Sequence, residues 1–150
     1  MRSVINGEST MIRSVGAVVA GYAAIVILVM TGTLALMATM MPGGRQAMKS
    51  MRENSQASAA MTPTPRYLVM NLALALVAAI VGGWVTTRIA PGAPNGHLMA
   101  LGAVVIAMGI VSAFMPGSER QPEWYKFVIP LVGLMGIALS ALLFPGRAAG

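Results

Sequence analysis

The chain has 150 residues, enough for one domain, with hydrophobic residues at 57% and charged residues at only 9%. A soluble domain carries about a quarter charged residues, so this chain could not cover its surface in water, and a hydrocarbon solvent removes that need. The net charge of +6 comes from basic residues lying between apolar runs, with no basic stripe or aromatic platform, which argues against nucleic acid; the absence of cysteine excludes disulfides, thiolate zinc sites, iron–sulfur clusters and a cysteine nucleophile.

Charge gaps set the organisation. No Asp, Glu, Lys or Arg occurs between Arg13 and Arg45, Arg66 and Arg88, Arg88 and Glu119, or Lys126 and Arg147. Each gap holds an apolar run that matches a hydrocarbon core about 30 Å thick. The reading is an all-α, four-transmembrane-helix bundle forming a single domain over residues 1–150. Its spans are expected near 14–41, 67–89, 96–115 and 125–144. Strands fail as an alternative, because open edges are not tolerated in lipid and four runs cannot close a barrel.

The first span is long and should tilt or leave the membrane at one end. Arg2 and Arg13 precede it as in a signal peptide, but the run far exceeds an h-region of about 7–15 residues, so a retained helix is expected. Gly16, Ala20 and Ala24 form a small-residue stripe at four-residue spacing. Tyr22 lies about two turns inside, where its hydroxyl needs a partner. Met37, Met40, Met41, Met48 and Met51 invite a copper reading, yet no His or Cys joins them and methionine also serves as apolar filler. The connection after Pro42-Gly43 is either an interfacial helix within residues 44–61, with Arg45, Lys49, Arg52 and Gln56 on one face, or a polar loop.

The second span starts after Thr64-Pro65, with proline at a first helical position, and stops before Pro91-Gly92. Ala75, Ala79 and Gly83 form its small stripe, beside Ala78 and Gly82. Asn95 is a candidate N-cap for the third helix, which carries Gly102, Ala103, Ala107 and Gly109 and stops at Pro116-Gly117. In the fourth, Gln121-Pro122-Glu123 places proline at a first helical position and an acid at the positive helix end. Pro130 removes a backbone hydrogen bond, Gly136 and Ser140 supply small residues, and Pro145-Gly146 ends the run. Small residues let helix backbones approach, which favours association in lipid. Tyr67, Trp84, Trp124 and Tyr125 sit where interfacial aromatics belong.

Within the spans, Thr31, Thr33, Asn71, Ser112 and Ser140 are polar but uncharged, and no catalytic triad, carboxylate pair or chelating cluster occurs there. An enzyme is therefore not expected. His97, the one histidine, opens the third helix and is a candidate axial ligand for haem or (bacterio)chlorophyll, although the sequence demands no cofactor.

The run Gly82-Gly83-Trp84-Val85-Thr86-Thr87-Arg88-Ile89-Ala90, followed by His97 at the next helix, resembles a pattern in small uncharacterised bacterial four-helix membrane proteins. The resemblance covers the middle third and implies a bacterial four-helix membrane protein, with no catalytic residues to carry over. Leu98 departs from the small residue that usually follows the histidine.

The expectation is an accessory or structural subunit of a larger membrane complex, respiratory or photosynthetic, with the lipid bilayer and other membrane subunits as partners. One alternative is a transporter or channel component, which would need oligomerisation to build a polar path from Asn71, Thr86, Thr87 and Ser112. Another is a tetrapyrrole-binding subunit. The expected location is a bacterial inner membrane, both termini on one side. The side of the first and third connections carries six basic residues (Arg45, Lys49, Arg52, Arg66, Arg120 and Lys126) against four on the opposite side (Arg2, Arg13, Arg88 and Arg147), a slight preference for placing those connections in the cytoplasm.

Overall fold

A computed structural model describes residues 2–40 (side chains from residue 11), 64–92, 95–114 and 121–145. The described residues form four α-helices and no strands: α1 Arg2–Met40, α2 Pro65–Ile89, α3 Asn95–Ala113 and α4 Glu123–Leu143. All four are long and apolar enough to cross a membrane, and the stretch of α1 that qualifies is Met11–Met40. The protein is an integral membrane bundle. Its outward side chains bear this out: Ile27, Val69, Met99, Phe127 and Leu142 are all more than 60% exposed, a surface suited to acyl chains.

The helix ends follow local chemistry. Thr64 caps α2, its Oγ1 accepting the Tyr67 N–H at 3.3 Å, and Pro65 occupies the first turn as expected. At the other end Ala90 is extended (φ −59°, ψ 129°), as the residue before a proline should be, and Gly92 takes a left-handed φ of 73°. In α4 the expectation shifts by one residue. Pro122 is the N-cap itself, and its carbonyl accepts the Tyr125 N–H at 2.9 Å, so Glu123 is the first helical residue. Helix α1 continues back to Arg2, beyond the membrane-spanning stretch that starts at Met11, because a charge gap marks where the chain enters hydrocarbon and charged residues do not stop a helix in water. At 1.5 Å per residue α1 is about 58 Å long, far beyond the core thickness. The proposed interfacial segment, residues 44–61, lies outside the described residues.

α2 is the central element. It packs along α1 on one side and α4 on the other, while α3 rests mainly on α4 with lesser contacts to α1 and α2. The directions alternate. Gly21 approaches Gly82 and Gly32 approaches Leu74, so α1 and α2 are antiparallel. Ala79 meets Gly136 and Gly83 meets Ser140, so α2 and α4 are parallel; Gly102 meets Leu134 and Gly109 meets Pro130, so α3 and α4 are antiparallel. Two clusters form the core. Ala79, Leu98, Leu101 and Ile137, with Val18, Tyr22 and Ile25 against them, join all four helices. Tyr67, Leu68 and Tyr125, with Leu36, Met37, Leu72 and Ile129, join α1, α2 and α4 at the other end.

Close packing makes certain glycines irreplaceable. A Cβ at Gly136 would stand 2.6 Å from Ala79 Cβ and 2.8 Å from the Leu76 carbonyl oxygen, whereas one at Gly16 would meet nothing within 4 Å. Gly136→Val should therefore destabilise the bundle by about 1–3 kcal/mol, while Gly16→Ala leaves it unchanged. Unfolding in detergent, followed by circular dichroism, checks both; equal behaviour of the two variants would contradict this packing.

Candidate functional site: helix seams and a polar clamp

Three seams hold the helices. Between α1 and α2, Gly21 lies so close to α2 that an added Cβ would collide with the Thr86 hydroxyl and stand 2.7 Å from the Gly82 carbonyl oxygen. Gly82 in turn receives Ile25, and Gly32 receives Leu74. Between α2 and α4, Gly83 receives Ser140, and Gly136 seats against Ala79. Between α3 and α4, a Cβ at Gly133 would stand 2.8 Å from Val105, and Cβ positions at Gly102 and Gly109 lie 3.2 Å from Leu134 and 3.0 Å from Pro130.

Most of the small residues singled out in the sequence meet in these seams: Ala79, Gly82, Gly83, Gly102, Gly109, Gly136 and Ser140. Ala75 is half-buried. The stripe on α1 is different. Ala20 and Ala24 are half-buried and Gly16 is exposed. The seam instead uses Ala17, wholly buried, and Gly21. That register was also visible as a small pair at four-residue spacing. A step of one residue rotates a helix by about 100°, and composition alone does not choose between adjacent stripes.

The polar side chains are tied to backbone or to one another. Thr86, fully buried, donates to the Gly82 carbonyl at 3.0 Å and towards the Ala17 carbonyl at 3.4 Å, so one hydroxyl links α2 to α1. Ser140, equally buried, donates to the Ile137 carbonyl at 2.7 Å. Near the other end a chain of bonds crosses three helices. The Thr33 hydroxyl donates to Asn71 Oδ1 at 3.1 Å, and Asn71 Nδ2 donates to the Tyr125 hydroxyl at 2.7 Å. Among the described residues, no buried side-chain nitrogen or oxygen lacks a partner.

The sequence places Tyr67 and Tyr125 at the membrane edge, where anchors belong. They point inward: both are buried, Tyr125 with only 1% of its surface exposed. Each belongs to the aromatic cluster, where its ring packs and the Tyr125 hydroxyl meets Asn71. Both tryptophans face outward. Trp124 stands edge-on to Tyr125 at 5.6 Å, and Trp84 edge-on to Phe144 at 6.2 Å with the Arg88 guanidinium 5.5 Å from its ring centre. Glu123, in the first turn of α4, pairs with Lys126 at 3.1 Å.

The polar path sketched from Asn71, Thr86, Thr87 and Ser112 is not assembled within one chain. Asn71 and Thr86 sit towards opposite ends of α2, Thr87 bonds the Trp84 carbonyl at 2.8 Å, and Ser112 is exposed on α3, bonding the Gly109 carbonyl at 2.8 Å. Thr31 is likewise exposed and returns its hydroxyl to the Ile27 carbonyl. His97 is half-buried in the first turn of α3, next to buried Leu98. Among the described residues, no group of three or more His, Cys, Asp or Glu is placed to hold a metal ion. Met37 packs against the Tyr67 cluster, while Met41, Met48 and Met51 lie outside the described residues.

The chain matches no family model, no curated protein and no solved structure.

The three-helix bond chain makes a quantitative expectation. Interhelical hydrogen bonds of this kind contribute on average about 0.6 and at most about 1.7 kcal/mol. Asn71→Ala and Tyr125→Phe should each lower stability, with the double variant less destabilised than the sum. A double-mutant cycle in detergent measures the coupling, and strict additivity would show that the 2.7 Å contact holds nothing together.

Proposed function

We propose that this protein is an accessory, structural subunit of a larger membrane complex, seated in a bacterial inner membrane with both termini on one side. One observation carries the reading. Small residues remain on the outside after the bundle has formed: on α3, Ala100, Ala103 and Ala107 lie exposed at helical spacing, and on α1 Gly16 has open space around it. A bundle that needs small residues only for its own seams has no use for them facing lipid, whereas a neighbouring transmembrane helix can pack closely against them.

Two further features support it. Among the described residues, the buried polar side chains are already bonded within the chain, so they offer a substrate no vacant partner. α3 is also the most loosely held helix, resting mainly on α4. Helix packing, rather than group chemistry, is the work assigned to it.

Extraction of the native membrane in mild detergent, with capture of the tagged chain, tests this. The wild-type protein should leave the membrane in a complex with other subunits in constant ratio. Ala103→Phe together with Ala107→Phe should release it as a lone bundle of unchanged thermal stability, because both positions are exposed. A lone monomer from wild-type membranes would end the proposal.

A further inference from the structure

A groove of 440 Å³ runs along the outer face between α1 and α2, lined by Gly32, Ala35 and Thr39 from α1 and by Met70, Ala73 and Val77 from α2. It exists because Ala35 and Ala73 are small and because Leu74 is drawn in against Gly32, leaving a furrow between the two ridges. Its walls are almost wholly carbon. The one side-chain oxygen in the lining is that of Thr39, and it donates to the Ala35 carbonyl at 2.8 Å. The groove opens sideways, to whatever surrounds the helices.

Its surface end is basic. Arg66, Met70, Ala73 and Val77 share one face of α2 at helical spacing, so the guanidinium of exposed Arg66 stands one turn beyond the groove and in line with it. The first turn of α2 contains no acid, and the ion pair recorded among the described residues is Lys126–Glu123, on α4. The helix terminus adds to this. Pro65 has no N–H, the Tyr67 N–H goes to Thr64 Oγ1 and the Leu68 N–H to the Thr64 carbonyl at 3.1 Å. The Arg66 N–H is left pointing out of the positive end of the helix, where an anion is favoured. Depth fits as well. At 1.5 Å per residue Val77 lies about 16 Å below Arg66, close to half of a 30 Å core.

We propose that this groove, with Arg66 at its mouth, binds an anionic phospholipid: one acyl chain lies along Ala35 and Ala73, and the phosphate meets the Arg66 guanidinium and backbone N–H. An acyl chain is the occupant a lipid-facing apolar furrow one leaflet deep can take. The charge at its mouth selects the headgroup. The binding does not depend on membership of a complex, since every contact comes from one chain.

Native mass spectrometry of the purified full chain, offered equal phosphatidylglycerol and phosphatidylcholine, tests it. Wild-type protein should retain phosphatidylglycerol in roughly fivefold preference, the weight of one basic residue near an anionic surface. Arg66→Gln should bring that ratio near one. Ala73→Phe should reduce retention of both lipids by filling the groove, with Ala35→Phe as a second filler should the first not fold. Arg13→Gln, exposed on α1 towards the opposite end, should leave the ratio unchanged. Equal retention of the two lipids by wild-type protein, or a ratio unmoved by Arg66→Gln, overturns the proposal. So does a wild-type chain that retains no lipid, or one whose groove instead supports a dimer lost in Ala73→Phe.

Discussion

The bundle depends on how closely other backbones can approach α2. In lipid the hydrophobic effect gives helices no reason to associate, since a leucine is as comfortable against an acyl chain as against another leucine. What remains is contact and hydrogen bonding, and both need short distances. α2 provides them on two sides at once. Gly82 faces α1 and Gly83 faces α4, so an adjacent pair of glycines serves two interfaces about 100° apart. The partners answer in kind, Gly21 on α1 and Ser140 on α4. A side chain at any of the three glycines would push two helices apart, and at Gly21 or Gly82 the separation would take the Thr86 hydroxyl away from the Ala17 carbonyl across the α1–α2 seam.

The polar clamp has its place at the other end of the same helix. Towards its N-terminus α2 has no comparable glycine, and the space is filled by larger groups, Tyr67, Leu68 and Tyr125. Larger side chains hold helices further apart and fix their angle less sharply. The bonds from Thr33 through Asn71 to Tyr125 compensate, because each fixes a distance between a different pair of helices. The bundle thus has a glycine-packed end set by backbone approach and an aromatic end set by hydrogen bonds. α3 takes part in the first and not in the second, which explains why its remaining surface is free.

The four helices were legible because lipid imposes crude rules: no charge in the core, a fixed length, and proline where a helix must stop. Thr64-Pro65 and Ala90 before Pro91 follow those rules to the residue. The burial of the tyrosines was not legible. A tyrosine near a helix end suits the membrane interface and the bundle interior equally, and what decides is which way it faces. Tyr67 and Tyr125 face Leu68 and Met37, a fact set by the rotation of α2 and α4 within the bundle. The same ambiguity hid Gly21 behind Gly16, Ala20 and Ala24. One-dimensional spacing gives the shape of a stripe, and the rotation of the helix gives its address.

The ends of the helices show how the bundle is held at its depth in the bilayer. At the C-terminus of α2, Arg88 stands in the last turn, where a cation favours the negative end of the helix, and its guanidinium lies against Trp84. At the N-terminus of α4, Glu123 meets the positive end and holds Lys126 beside it. Both arrangements pair a charge with a helix dipole of the right sign, and both place an exposed tryptophan within a turn or so of that charge. A charge prefers water and an indole prefers the boundary, so displacement of the bundle in either direction draws one of these pairs into hydrocarbon. Opposite ends of two adjacent, parallel helices are thus pinned independently. The depth of α2 and α4 is fixed by their termini, and the positions of α1 and α3 follow from what those two helices leave for them to pack against.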